Sequence, residues 1–117
     1  MKSVIPLFLS LFICFSIKAQ DKSITTATLI VKGNCGECKK RIENAADIKG
    51  VKYSAWDEKN QVMTVTYRTD KVTLNEIENA IAAKGHDTQH VPASSDAYGK
   101  LPSCCRYRDK KCDTDKQ

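Results

Sequence analysis

Residues 24–50 read "ITTATLIVKGNCGECKKRIENAADIKG", and this stretch decides the fold because its periodicity changes midway. From Ile24 to Lys32 β-branched residues alternate, with Ala27, Leu29 and Val31 on one face and Thr26, Thr28 and Ile30 on the other, the pattern of a strand. Gly33 and Asn34 break the alternation. Cys38, Ile42, Ala45 and Ala46 then recur at helical spacing until Gly50 stops the segment. The stretch therefore predicts a strand, a tight loop and a short amphipathic helix, with Cys35 and Cys38 where the loop enters the first helical turn.

Outward from there, "VKYSAWD" (51–57) and "VMTVTY" (62–67) flank the polar "EKNQ", which predicts two antiparallel strands and their hairpin, with Met63, Val65 and Tyr67 on one face. Trp56 and Met63 read as packing residues. "TLNEIENAIAAKG" (73–85) opens with Thr73 and Glu76 in capping-box spacing, carries Leu74, Ile77 and Ile81 along one side, and ends at Gly85. A last strand from Asp87 to Val91 completes the order β-α-β-β-α-β. That order predicts an α+β, ferredoxin-like sandwich, two helices covering one face of a four-stranded antiparallel sheet. "PASSDAYGKLP" (92–102) reads as a linker, and "SCCRYRDKKCDTDKQ" as a charged tail with too few apolar residues to fold alone.

The chain begins "MKSVIPLFLSLFICFSIKAQ": a basic Lys2, an apolar run from Val4 to Ile17, and the small Ala19. This is the pattern of a signal peptide cut after Ala19, and the run is too short for a membrane-spanning helix of about 20 apolar residues. Bulky Phe12 and Ile13 before Cys14 argue against a lipid-attachment signal. The domains expected are thus residues 1–19 as signal peptide, 20–93 as the folded domain and 94–117 as a flexible Cys-containing tail. The mature product is exported, to a periplasm or outside the cell, and does not span a membrane. It keeps five cysteines, Cys35, Cys38, Cys104, Cys105 and Cys112, an odd number that cannot all pair internally. Loss of Lys2 and Lys18 leaves 17 basic against 14 acidic residues, with no long basic block and no interleaved aromatics, so nucleic acid is not an expected partner.

Two cysteines separated by two residues on a turn can converge on one soft ion, and Cu(I), Hg(II) and Zn(II) favour thiolate ligands. Placing Cys38 at a helix N-terminus favours the thiolate, as do Lys39, Lys40 and Arg41 beside it. The same features suit a thiol–disulfide oxidoreductase. Against that alternative, no aromatic residue precedes Cys35, no proline occurs between Cys38 and Pro92 to face the pair, and the element order differs from that of thioredoxins. A purely structural disulfide closing so short a segment would stabilise little. The expected protein is no enzyme and has no catalytic residue.

"KGNCGECKKRIENAADIKGV" followed by "VMTVTYRTDKVTLNEIENAIAAKGHD" resembles the heavy-metal-associated domain family, which includes copper chaperones, tails of metal-transporting ATPases and periplasmic mercuric-ion-binding proteins. The resemblance spans about Thr25 to Val91. It rests on the Gly-x-Cys-x-x-Cys loop, on Arg41-Ile42-Glu43, Gly50-Val51 and Thr64-Val65-Thr66-Tyr67, and on the second helix ending "AIAAKGH". It implies one soft ion, Cu(I) first and Hg(II) or Zn(II) next, held by Cys35 and Cys38 and passed by ligand exchange to or from a partner such as a transporter.

Two residues depart from the family pattern. Gly33 stands where many members carry a Met packed under the loop, which implies a looser loop, and Lys39 replaces a small or apolar residue, which implies an acidic docking partner. His86 follows Gly85 where many relatives have Tyr or Phe. It reads as an exposed loop residue whose cationic form a helix C-terminus favours, with metal ligation as the alternative; His90 reads as a surface strand residue. For Cys104, Cys105 and Cys112, on which the resemblance is silent, three readings stay open: a disulfide with one spare thiol, extra ligands folding back onto the loop, or a separate thiolate site. An adaptor bonding a partner through a free tail thiol is a further alternative.

Overall fold

The computed structural model describes residues 23–109. The expected signal peptide, Cys14 and Cys112 lie outside them. Strand β1 is Ile24–Ile30, helix α1 Gly36–Ala46, β2 Val51–Asp57, β3 Val62–Arg68 and helix α2 Leu74–Ala82. Beyond them come a short helix α3, Ser95–Gly99, and a 3-10 turn, Ser103–Cys105. The α+β architecture is as the sequence implies, with the strands antiparallel in the order β1-β3-β2.

The alternating residues supply the core. Leu29, Val31, Trp56, Met63, Val65 and Tyr67 from the sheet meet Cys38, Ile42, Ala45 and Ala46 from α1 and Ile77 and Ile81 from α2 in one buried cluster. Burial of this kind is worth roughly 1.5–3 kcal/mol per large side chain. Thr73 closes the expected capping box, its hydroxyl accepting from the Glu76 amide while the Glu76 carboxylate accepts from the Thr73 amide. Gly50, at φ +98°, makes the turn from α1 into β2, where a Cβ would also lie 2.9 Å from Val72.

The fourth strand is a correction. Asp87–Val91 contributes only a single bridge, Thr88 to Val31, and the Lys32 amide donates to Asp87 O at 2.8 Å. Two local bonds explain the missing ladder. The Gln89 carboxamide oxygen accepts from the Ile30 amide, and the Thr88 amide donates to Val91 O, which hooks the chain away from β1. The side chain of Glu78, buried on α2, holds that hook by accepting from the His90 amide and ring Nδ1, each at 3.0 Å. His90 is exposed as expected, in a turn rather than a strand.

The described part of the expected linker and tail is folded against the domain. Leu101 and Cys105 join the main core, with Tyr98 and Tyr107 packed at its edge. This strap, residues 95–109, has too few apolar residues to fold alone but enough to fold onto an existing surface.

Candidate metal centre

The loop carrying the cysteines has a packed floor. The Trp56 indole runs beneath it from β2 and donates Nε1–H to Val31 O at 2.9 Å. A Cβ on Gly33 would lie 3.0 Å from both the indole ring and Cys38 Cβ. The space expected to be left by the absent Met is thus occupied by Trp56, and glycine at 33 is what lets the ring approach.

Cys35 is the N-cap of α1, in extended backbone, and is half-buried; Cys38, one turn in, is fully buried. Their sulfurs are 3.6 Å apart, and the Asn34 amide donates to Cys38 Sγ at 3.3 Å. The strap brings a third sulfur. Cys105 Sγ lies 3.9 Å from Cys35 Sγ, and the sulfurs of Cys35, Cys38 and Cys105 all fall within 4.8 Å of one another. All three carry free thiols. Cys35 Sγ also reaches Cys104 O at 3.4 Å.

A clasp around residues 85–87 seats the strap. The Tyr107 hydroxyl donates to Gly85 O at 3.0 Å and accepts from the Asp87 amide at 2.7 Å, while its ring stacks on His86. Arg108 holds the Asp87 carboxylate with two bonds, of 2.6 and 3.1 Å, donates to Ala93 O, and lies 4.5 Å above the Tyr98 ring. Gly85, at φ +100°, permits the contact: a Cβ there would meet Ala97 O at 2.7 Å and Leu101 at 2.9 Å.

The three thiols differ in acidity. At Cys35 burial opposes ionisation, but the backbone N–H groups of Cys38 and Glu37 at the open helix end, with the neighbouring thiols, outweigh it and pull the pKa below the ordinary value. At Cys38 burial dominates despite the Asn34 amide and raises it. At Cys105 burial, reinforced by Cys38 and Cys35, raises it strongly. The more acidic, more accessible Cys35 thiol beside two buried thiols can lose its proton to an incoming soft ion first, and the others then enclose the ion as they lose theirs.

His86 departs from its sequence reading. It is fully buried, not exposed, with Nδ1–H donating to Lys32 O at 2.8 Å. Burial lowers its pKa, so the ring is neutral where a cation was expected. Its Nε2 is buried without a partner, and the ring is no member of the sulfur cluster among the described residues. Cys104 also stands outside the cluster, its sulfur 3.9 Å from that of Cys105. Lys39 does not present its charge freely beside the site: it pairs with Glu43 and donates to Trp56 O at 3.0 Å. Of the tail cysteines named as candidate extra ligands, the structure brings Cys105 to the loop pair.

The family model for the heavy-metal-associated domain matches residues 28–87, the loop, the sheet and both long helices. Among solved structures the chain is similar to the CopZ metallochaperone, at 32% identity over 55% of this chain and 98% of that one, with a TM-score of 0.53. It shares its fold with oxidised MerP from Ralstonia metallidurans CH34, at 24% identity over 56% and 93% and a TM-score of 0.53. The same holds for the N-terminal domain of a potential copper-translocating P-type ATPase from Bacillus subtilis in the Cu(I)-loaded state, at 22% over 56% and 85% and a TM-score of 0.54. No curated protein sequence matches significantly. With the family match covering half of the chain and both loop cysteines inside it, the chain belongs to the heavy-metal-associated domain family.

Proposed function

We propose that the protein is an exported carrier or scavenger of a soft metal ion, Cu(I) first and Hg(II) or Zn(II) next, in metal trafficking or detoxification. Residues 1–19 serve as the signal peptide, residues 20–93 form the metal-binding domain, and residues 94–117 are its accessory tail. Cys35 and Cys38 are the ligands. The observation that carries this is the pair of sulfurs 3.6 Å apart at the open N-terminus of α1, in a member of this family. Backbone N–H groups there stabilise the thiolate that a soft ion needs. The protein performs no catalysis. It exchanges its ion with a donor or acceptor protein such as a transporter, as the likeness to a metallochaperone supports. Among the described residues no helix is long and apolar enough to cross a membrane.

An anaerobic titration of the reduced protein with Cu(I) against a competing chelator tests the reading. One ion bound more tightly than micromolar, and lost when both cysteines become serine, is the expected result. Weak binding, or binding indifferent to the two substitutions, overturns it. The contrast between an accessible, acidified Cys35 and a buried Cys38 also favours a second reading, a thiol–disulfide oxidoreductase using the same pair. Disulfide-reductase turnover exceeding that of a free dithiol would replace the first reading with the second.

A further inference from the structure

The family match ends at residue 87, yet a third thiol from residue 105 stands among the family's two. Packing alone would be served by Ala or Val at this buried position. The sulfur separations carry more information. A soft ion with three metal–sulfur bonds of about 2.3 Å in one plane needs sulfurs about 4 Å apart. The observed separations are 3.6 Å and 3.9 Å, with every pair inside 4.8 Å. No fourth Cys, His, Asp or Glu joins the cluster among the described residues. The set therefore suits an ion content with three thiolates better than one that demands a tetrahedron, as structural Zn(II) sites do.

The surroundings of Cys105 are built to keep it there. Its own turn packs on α1, and Leu101 is anchored over Gly85. The residues after it are fixed by the Tyr107 and Arg108 clasp on Gly85, His86 and Asp87. The Leu101, Tyr107 and Arg108 contacts converge on the loop after α2, which lies beside β1 through the bonds of Lys32 to Asp87 and of His86 to Lys32. The strap is thus positioned by the domain's own metal-loop end, not by the sulfurs themselves.

We propose that Cys105 is the third ligand of a three-thiolate site with Cys35 and Cys38, and that the strap of residues 95–109 closes over the ion as a built-in lid. The proposal rests on the metal-binding reading above. A carrier with two loop ligands can be entered by a partner's thiol, because its ion is left under-coordinated. Here the chain's own sulfur fills that place, so the ion is retained until the strap lifts or an incoming ligand displaces Cys105.

The test is the sulfur coordination number of the bound ion, read by X-ray absorption at the copper edge on the reduced full chain carrying one equivalent of Cu(I). Three sulfurs are expected in the natural protein, two in Cys105→Ser, and three still in Cys104→Ser. Transfer of Cu(I) to a chelator should also quicken by about tenfold or more in Cys105→Ser. Arg108→Ala, which keeps every cysteine and loosens only the clasp, guards against a folding artefact and should quicken transfer in the same direction. Two sulfurs in the natural protein, or three retained in Cys105→Ser, overturns the proposal while leaving the two-cysteine reading intact. No copper retained by the natural protein overturns both.

Discussion

The loop and the strap bring sulfur to one point by opposite means. The loop's two cysteines are three residues apart, and their placement follows from local geometry: a glycine, a helix start, and one indole as floor. The strap's cysteine is 70 residues from Cys35; it reaches the core with Leu101, on a segment seated by tyrosine stacking, one ion pair and hydrogen bonds. A donor placed by its own loop is always available, whereas one carried on a distant strap is available only while the strap is seated. The contrast separates a permanent half of the site from a conditional half, and it can be broken or sharpened at several places.

The largest effect is expected at the floor of the loop. Trp56 is 2% exposed and fills the space against Gly33, so Trp56→Ala should destabilise the domain by about 3–5 kcal/mol, measured by urea unfolding. Its loss should also disorder the loop cysteines. A cost below about 1 kcal/mol would mean the loop is not held by packing, and the contrast with the strap would fail.

Next comes the seat of the strap. In Gly85→Ala the new methyl would meet Ala97 O at 2.7 Å on a backbone already at φ +100°. The strain of roughly 1–3 kcal/mol should be relieved by lifting the strap. Hydrogen exchange at Leu101 and Cys105 should accelerate by tenfold or more, while the amides of Ile42 and Ala45 in α1 keep their protection. Equal acceleration in both would show that the strap and domain unfold as one unit.

Thiol chemistry gives the third contrast. In the metal-free reduced protein at pH 7 Cys35 should alkylate first, by about tenfold or more over Cys38, with Cys105 last, followed by peptide mass spectrometry. Raising the pH toward the ordinary thiol range should narrow the lead of Cys35, because its thiolate fills at a lower pH than that of Cys38. Preferential reaction of Cys105 would mean that the strap stands open in solution.

Sequence periodicity revealed the permanent half and missed most of the conditional one, for a physical reason. Alternation in β1 and β3, helical spacing in α1, and the Thr73 capping box are enforced by neighbours close along the chain, so each leaves a local trace. The fourth strand failed because Gln89 and Thr88 offered the backbone side-chain and turn partners that no hydrophobic pattern reports. His86 follows a helix-stopping glycine, which reads as surface, and contacts distant in the chain, the Lys32 carbonyl and the Tyr107 ring 21 positions on, accompany its burial. The Lys39–Glu43 pair sits at i,i+4 spacing, which the sequence does carry, whereas the bond of Lys39 to Trp56 O, 17 positions on, leaves no local trace. The third sulfur could be named as a candidate but not placed, since its position depends on contacts made across the whole domain.

The smallest effect, and the most specific to the clasp, is its response to acid. Asp87 is partly buried, which alone would raise its pKa, but the Arg108 guanidinium and the Ala93 amide bind its ionised form and hold it below the usual carboxylate value. A depressed pKa in the folded state contributes stability above the unfolded value of about 3.9, and that contribution disappears as the pH falls through the depressed value. Arg108 stays charged throughout, and the Tyr107 hydroxyl, raised by burial, stays protonated, so the groups of the clasp that respond to acid are Asp87 and the buried His86, whose pKa burial lowers. The pair is partly solvent-screened, and its share is under about 1 kcal/mol. Acidification from pH 5 to pH 3 should therefore loosen the strap by a few-fold in hydrogen exchange at Leu101 and Cys105, after correction for intrinsic exchange rates. Asp87→Asn should start from the looser level and lose the part of the pH dependence that Asp87 carries, leaving the part that comes from charging the buried His86. An unchanged acid response in Asp87→Asn would assign it to protonation of His86 under the Tyr107 ring and not to the Asp87–Arg108 pair.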